Sequence, residues 1–326
     1  MKKILVTGCY GFIGFSLILK LSKIKEYDIF GIDNIDNYYD VNLKKNRGRI
    51  LIDIKNFTFF KIDIGDYRKL DINFQENKYD VVINLAAQAG VRYSLENPAV
   101  YFESNIKGYF NILELSKLYK ISHLIFASSS SVYGDKNKFP LREIENTDFP
   151  ISFYAASKKT NEIMSYSYSY THKLPITGLR LFTVYGPYGR PDMALEKFTR
   201  NILNNKIIKI FNFGKNYRDF TYIDDVTQSI KLLINKPSKS KIPYQIFNIG
   251  NGKSVNIMQY INLISSTLGK KVKSRFISRQ QSDVKKTHSN IDMLIKKIKY
   301  APKTKLKFGI EMYIKWHKEY YKNGNK

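Results

Sequence analysis

The chemistry in this sequence gathers in three short stretches. Tyr154-Ala155-Ala156-Ser157-Lys158 sets a phenol and an ammonium four residues apart, so on a helix the two share a face. About 25 residues upstream runs Ser128-Ser129-Ser130-Ser131-Val132-Tyr133-Gly134. A phenol with a pKa near 10 is a poor base at neutral pH, but a nearby ammonium stabilises the phenolate. The pair suits removal of a proton from a hydroxyl, with a serine hydrogen-bonded to the same oxygen. The third stretch is Thr7-Gly8-Cys9-Tyr10-Gly11-Phe12-Ile13-Gly14. Gly8 allows a tight turn, Gly11 lets the backbone approach a pyrophosphate, and Gly14 permits close helix–strand packing. A helix opening there offers free N–H groups and a positive dipole end to phosphates. Asp33, at the end of the next strand-like run, is placed to bind ribose hydroxyls and would repel a 2′-phosphate, which favours NAD over NADP.

The elements that must position these groups are legible as alternating patterns. Lys3–Thr7, Ile29–Asp33, Phe57–Lys61, Val81–Leu85, His123–Ala127 and Ile176–Leu181 read as short buried strands. Between them, Phe12–Ile24, Asn105–Lys120 and Tyr154–His172 carry apolar residues at helical spacing. That alternation predicts an α/β fold, a Rossmann-type doubly wound parallel sheet, with a smaller C-terminal substrate-binding lobe. The expected division is residues 1–182 for cofactor binding, carrying Ser129, Tyr154 and Lys158, and 183–326 mainly for substrate. In the second part Ile207–Phe211 and Tyr244–Ile249 read as strands, with a helix from about Asp224. Lys322-Asn323-Gly324-Asn325-Lys326 reads as a frayed end.

Composition narrows the class. The chain has 326 residues, 43% hydrophobic, enough for a sizeable core. No run of about 18 apolar residues suggests a membrane span, and the charged start breaks into Thr7-Gly8 before any signal-peptide core forms. One cysteine excludes an internal disulfide framework, and four scattered histidines give no metal-ligand spacing. Cys9 reads as a small packing residue, with no base beside it to make it a nucleophile. The expected location is cytoplasmic. The net charge of +26 invites a nucleic-acid reading. However, the lysines are spread along the chain, concentrated only mildly at 270–273 and 296–299, and no nucleic-acid motif accompanies them. They read as solvated side chains in a Lys-, Asn-, Ile- and Tyr-rich composition, on a surface that also attracts an anionic nucleotide.

The glycine loop, serine run and Tyr154–Lys158 pair together resemble the extended short-chain dehydrogenase/reductase family. Within it, the chain is similar to the nucleotide-sugar 4-epimerases, most closely those acting on UDP-glucuronate. The resemblance spans about residues 3 to 283 and is densest in 31–40, 85–92, 183–194 and 214–225. It implies NAD as cofactor, held by Gly8, Gly11, Phe12, Ile13, Gly14, Asp33, Asn34, Asp63, Ile64, Leu85, Ala86, Ala87, Gln88 and Asn105, with Tyr154 and Lys158. It implies Ser129, Tyr154 and Lys158 as the catalytic triad. It implies a UDP-sugar held by Arg92, Ser128, Ser129, Ser130, Thr183, Arg190, Arg218 and Asp283, with the two guanidinium groups of Arg190 and Arg218 on the diphosphate. A homodimer formed through two helices per subunit is also implied. Gln281-Ser282 stands where the family usually has Pro-Gly, which bears on Asp283.

Related enzymes share oxidation at C4 and diverge afterwards. Dehydratases and decarboxylases carry an acidic residue in or beside the catalytic Ser/Thr stretch, and a dehydratase needs that acid to protonate the departing hydroxyl. Here Ser129-Ser130-Ser131 has no carboxylate, so return of the hydride to C4 is expected. The alternative substrates are other UDP-hexoses: UDP-glucose or UDP-galactose, or an N-acetylated uronate.

Overall fold

The computed structural model describes residues 1–280 and 283–322. The Gln281-Ser282 departure and residues 323–326 of the expected frayed end lie outside the described residues. The first half alternates as its pattern predicts: β1 (Lys2–Thr7), α1 (Phe12–Leu21), β2 (Tyr27–Asp33), α2 (Val41–Ile52), β3 (Phe57–Lys61), α3 (Tyr67–Asn77) and β4 (Val81–Asn84). Two short helical turns, α4 (Tyr93–Glu96) and α5 (Pro98–Tyr101), lead into a π-helical turn at Phe102–Lys107 and then α6 (Gly108–Leu118). Next come β5 (His123–Ser129), α7 (Phe153–His172) and β6 (Ile176–Leu181). The expected helix at 105–120 is thus broken: its first residues belong to the π turn, where the hydrogen-bond register slips by one residue.

Beyond β6 come β7 (Thr183–Tyr185), α8 (Ala194–Leu203), β8 (Ile208–Phe211), β9 (Tyr217–Tyr222), α9 (Ile223–Ile234) and β10 (Tyr244–Ile249). The chain continues through β11 (Ser254–Asn256), α10 (Ile257–Leu268), β12 (Ser274–Ile277), α11 (Asp292–Ile298) and α12 (Leu306–Lys322). Seven strands form one sheet in the order β3-β2-β1-β4-β5-β6-β10, and every pairing in it is parallel. Strands β1, β4 and β5 are buried on both faces, as helices on both sides require.

A boundary at 182/183 does not describe this sheet. Its seventh strand, β10, comes from the C-terminal part and pairs Tyr244–Ile249 against Ile176–Leu181, and α9 packs on α1. An apolar strand pattern says nothing about which edge a strand joins, so the pattern alone leaves Tyr244–Ile249 with the smaller lobe. The smaller lobe consists of the β11-β9-β7 and β12-β8 sheets with α8, α10 and α12 around them. Among the described residues no helix is long and apolar enough to cross a membrane.

The order of chain reverses between β1 and β4, and in open parallel sheets ligands bind at such a switch point, beyond the carboxyl ends of the strands. The glycine loop after β1, residues 85–92 after β4, the serines ending β5 and Thr183 after β6 all emerge at that end.

Candidate active site

These strand ends open into one cavity of about 1430 Å³. Single-ligand pockets run to roughly 1,000 Å³, so there is room for two ligands side by side. Its lining includes every candidate residue named above except Asn105.

At one end lies the glycine loop. A Cβ on Gly14 would stand 2.2 Å from the Gly8 carbonyl oxygen, and one on Gly8, itself at φ +68°, would meet the Ala86 backbone at 2.7 Å. Backbone fills the space that side chains would take, the amides of Gly8 to Gly11 are bonded within the protein, and the start of α1 at Phe12 and Ile13 is left on the cavity as a phosphate cradle. The Asp33 carboxylate accepts from Tyr10 N at 3.0 Å and Ile35 N at 2.8 Å. Burial pushes its pKa up, and those amides together with the Lys44 and Arg47 charges oppose the shift. Asn34 donates to Asp63 at 2.7 Å, and Asp63 also accepts from Gly65 N. Ile64, Leu85, Ala86, Ala87 and Gln88 complete this wall. The donor set and the glycine cradle fit a dinucleotide with free ribose hydroxyls. Cys9 is fully buried beneath the loop, and burial drives its thiol pKa up, as suits a packing residue.

Asn105 is the one candidate that the cavity lining leaves out. It is fully buried, outside the cavity lining. Its side chain accepts from Gln88 N at 2.7 Å and donates to Gln88 O and Ser157 Oγ, both at 3.0 Å. The π turn aims it at the loop following β4, so it fastens that loop to α7.

Mid-cavity, α7 starts at Ser152, whose hydroxyl caps Ala155 N at 3.1 Å. One turn in, Tyr154 and Lys158 face the end of β5. Burial raises the Tyr154 phenol, while a hydrogen bond with Ser129 and the Arg190 charge pull it back. The buried Lys158 ammonium donates to Ala127 O at 2.9 Å, and desolvation lowers its pKa to about 8. Ser129 donates to Ser131 at 3.1 Å.

Ser128 is committed elsewhere. Its hydroxyl donates to Glu162 Oε1 at 2.6 Å, and Glu162 is held at both oxygens by Arg180, at 2.9 Å each. This buried Ser128–Glu162–Arg180 set joins β5, α7 and β6. Spacing could not reveal it, because the three residues meet only when the sheet forms.

Also on the cavity wall, the guanidinium of Arg190 makes a two-pronged pair with Asp192, at 2.9 and 2.5 Å, and the Tyr38 phenol donates to Asp192 at 3.3 Å. Arg218 reaches Asp283 at 3.0 Å, with Arg92 at 3.9 Å from the same carboxylate and stacked on Phe211 at 4.2 Å. Arg92, Arg218 and Asp283 thus form one cluster. Ser130 and Thr183 line the same cavity.

Comparison with known proteins accords with this geometry. Residues 4–250 match the model of the NAD dependent epimerase/dehydratase family. Protein CapI of Staphylococcus aureus is 45% identical, over 98% of this chain and 99% of that protein. UDP-glucuronate 4-epimerase of Thermodesulfobacterium geofontis is 40% identical, over 97% and 96%. The crystal structure of UDP-glucuronic acid 4-epimerase from Bacillus cereus, in complex with UDP-glucuronic acid and NAD, superposes with a TM-score of 0.91 at 33% identity, covering 98% of this chain and 100% of that one. A parallel sheet with its switch point at a glycine cradle, an apposed Ser–Tyr–Lys set and a match over most of the length lead to one conclusion: this chain belongs to the NAD-dependent epimerase/dehydratase family.

Proposed function

We propose that the protein interconverts UDP-glucuronate and UDP-galacturonate by oxidation and re-reduction at C4. The observation that carries the reading is that the carboxylates lining the cavity are all engaged. Asp33, Asp36, Asp63 and Asp66 accept main-chain amides. Glu103, Asp192 and Asp283 pair with Lys107, Arg190 and Arg218. Among the described residues no carboxylic acid stands free beside Ser129 and Tyr154 to protonate a leaving group, so the 4-keto sugar returns to alcohol.

Bound NAD supplies the acceptor and later the donor of the C4 hydride, and its positive ring favours the phenolate. Tyr154 takes the 4-hydroxyl proton and later returns it, and Ser129 steadies the oxygen between those steps. Lys158 holds a positive charge close to the strand end, and Asp33 orients the ribose. Arg190 and Arg218 grip the diphosphate, leaving the sugar free to turn and present its other face. The 4-keto uronate is a β-keto acid that loses CO₂ when its carboxylate aligns with the carbonyl. Thr183, Ser129 and Ser130 are neutral donors suited to holding the carboxylate out of line, whereas the Ser128 proton is occupied by Glu162.

The names and bound ligands of the relatives support the choice of uronate over a neutral hexose. The test is incubation with UDP-glucuronate, UDP-glucose and UDP-N-acetylglucosamine, followed by proton NMR. The expected result is UDP-galacturonate from the first, with catalytic Tyr154→Phe inactive. Turnover of UDP-glucose alone would overturn the substrate assignment. A homodimer through α6 and α7 belongs to the same reading, because those helices leave Phe110, Leu118, Ile163, Tyr166 and Tyr170 exposed. Light scattering that finds a monomer at micromolar concentration would refute it. A cytoplasmic location accords with the single buried thiol.

A further inference from the structure

Arg47, on α2, is wholly removed from solvent, and its named partners are three carbonyls and one phenol. Asp33 is near enough to feel its charge, but the hydrogen bonds of the guanidinium go to neutral oxygens, so what those partners share is informative. Nη1 donates to Tyr10 O at 2.8 Å and Tyr39 Oη at 2.7 Å. Nη2 donates to Tyr188 O at 2.6 Å and more weakly to Gly189 O at 3.5 Å. Tyr10 lies inside the glycine loop. Tyr188 and Gly189 immediately precede Arg190. Arg47 does not itself line the cavity, so it acts on ligands only through these segments.

An independent observation marks the same turn. Tyr188 has φ +58°, a left-handed conformation that bulky residues seldom adopt. It is held from two sides. Its ring packs against Phe15 at 4.8 Å and Trp316 at 4.9 Å, and its carbonyl is held by Arg47. Releasing the carbonyl favours return of Tyr188 to an ordinary φ, which would redirect the residues that follow. Arg190 is two positions on. A planar guanidinium spans Tyr10 and Tyr188 at once, which a point-charge ammonium on a shorter reach does not.

We propose that Arg47 is a positioning residue that ties the cofactor's glycine loop to the strained turn presenting Arg190, and thereby sets the grip on the nucleotide diphosphate. This rests on the reading of Arg190 given under the proposed function.

The test is a double-mutant cycle of Arg47→Met and Arg190→Ala in NAD-loaded protein. UDP affinity is measured by calorimetry, and UDP-glucuronate kinetics run in parallel. Arg47→Met is expected to weaken UDP binding about tenfold and raise KM to match, with kcat within about threefold. Arg47→Lys should not restore affinity. In the Arg190→Ala background the Arg47 substitution should add less than about twofold, because its effect passes through Arg190. Multiplying fold-changes, unchanged UDP affinity, or a fall in kcat at constant KM would overturn the proposal. If Arg47→Met does not fold, Tyr39→Phe removes one acceptor only and should weaken UDP by about two- to threefold, again only when Arg190 is present. An effect that persists without Arg190 would overturn it. Failure of the epimerase reading shows separately, as absent turnover by the unaltered protein, while the UDP cycle still decides the role of Arg47.

Discussion

Lys158 carries a charge in a place that water does not reach, and Lys158→Met measures what that placement costs the fold. Desolvation lowers the ammonium from 10.5 to about 8, which corresponds to roughly 3 kcal/mol of native-state destabilisation at pH 7. Methionine has nearly the same length and no charge. Its cost is the Ala127 carbonyl left without its donor, about 1 kcal/mol. The variant should therefore be about 2 kcal/mol more stable at pH 7, which for a chain of this size is a rise of roughly 3 to 4 °C in Tm. The gap must also depend on pH. Between about pH 8 and 10.5 the unfolded lysine still binds a proton that the folded one has released, so the parent gains stability as pH rises through this window. Calorimetry of NAD-free parent and variant from pH 7 to 10 should show the difference closing toward the alkaline end. Turnover should fall by about 10²- to 10⁴-fold at the same time. A variant that is less stable at pH 7, or a gap that stays constant across the range, would refute the reasoning.

Ser128→Ala should cost about 1 to 2 kcal/mol, because Glu162 loses one partner while keeping Arg180, with kcat changed less than about threefold. A drop of about a hundredfold in kcat would instead place Ser128 on the substrate. Gly14→Ala sets a methyl 2.2 Å from the Gly8 oxygen, so the purified protein should have lost its bound NAD, read from its absorbance ratio; full retention would refute the cradle. Thr183→Val should release UDP-pentose and CO₂ alongside epimer, seen by NMR, and no increase with the fold intact would count against its hold on the carboxylate.

The strands of the first half and the gathering of Ser129, Tyr154 and Lys158 at one cavity were legible because their signals are local: runs of apolar residues, a glycine loop, a four-residue spacing. Phe57–Lys61 and Ile176–Leu181 fall where the pattern sets them. What stayed hidden depends on partners far along the chain. Arg47 looks like one more solvated cation among 54 lysines and arginines, and only the folded turn at Tyr188 shows it buried. Asn105 has the right neighbourhood, but the π turn points it at the back of the Gln88 loop. Ser128 and Ser129 are chemically identical in sequence; strand alternation sends one to Glu162 and the other toward Tyr154.

The placement of β10 has a consequence for how the chain is made. Residues 183–243 are an insertion between two strands that lie side by side, so on the ribosome β6 emerges about sixty residues before its outer neighbour. Until then its Ile176–Leu181 edge, buried in the finished protein, offers unpaired amides to any passing strand. A fragment ending at 182 should therefore aggregate, and protease-resistant cofactor binding should appear only in nascent chains that have passed Ile249.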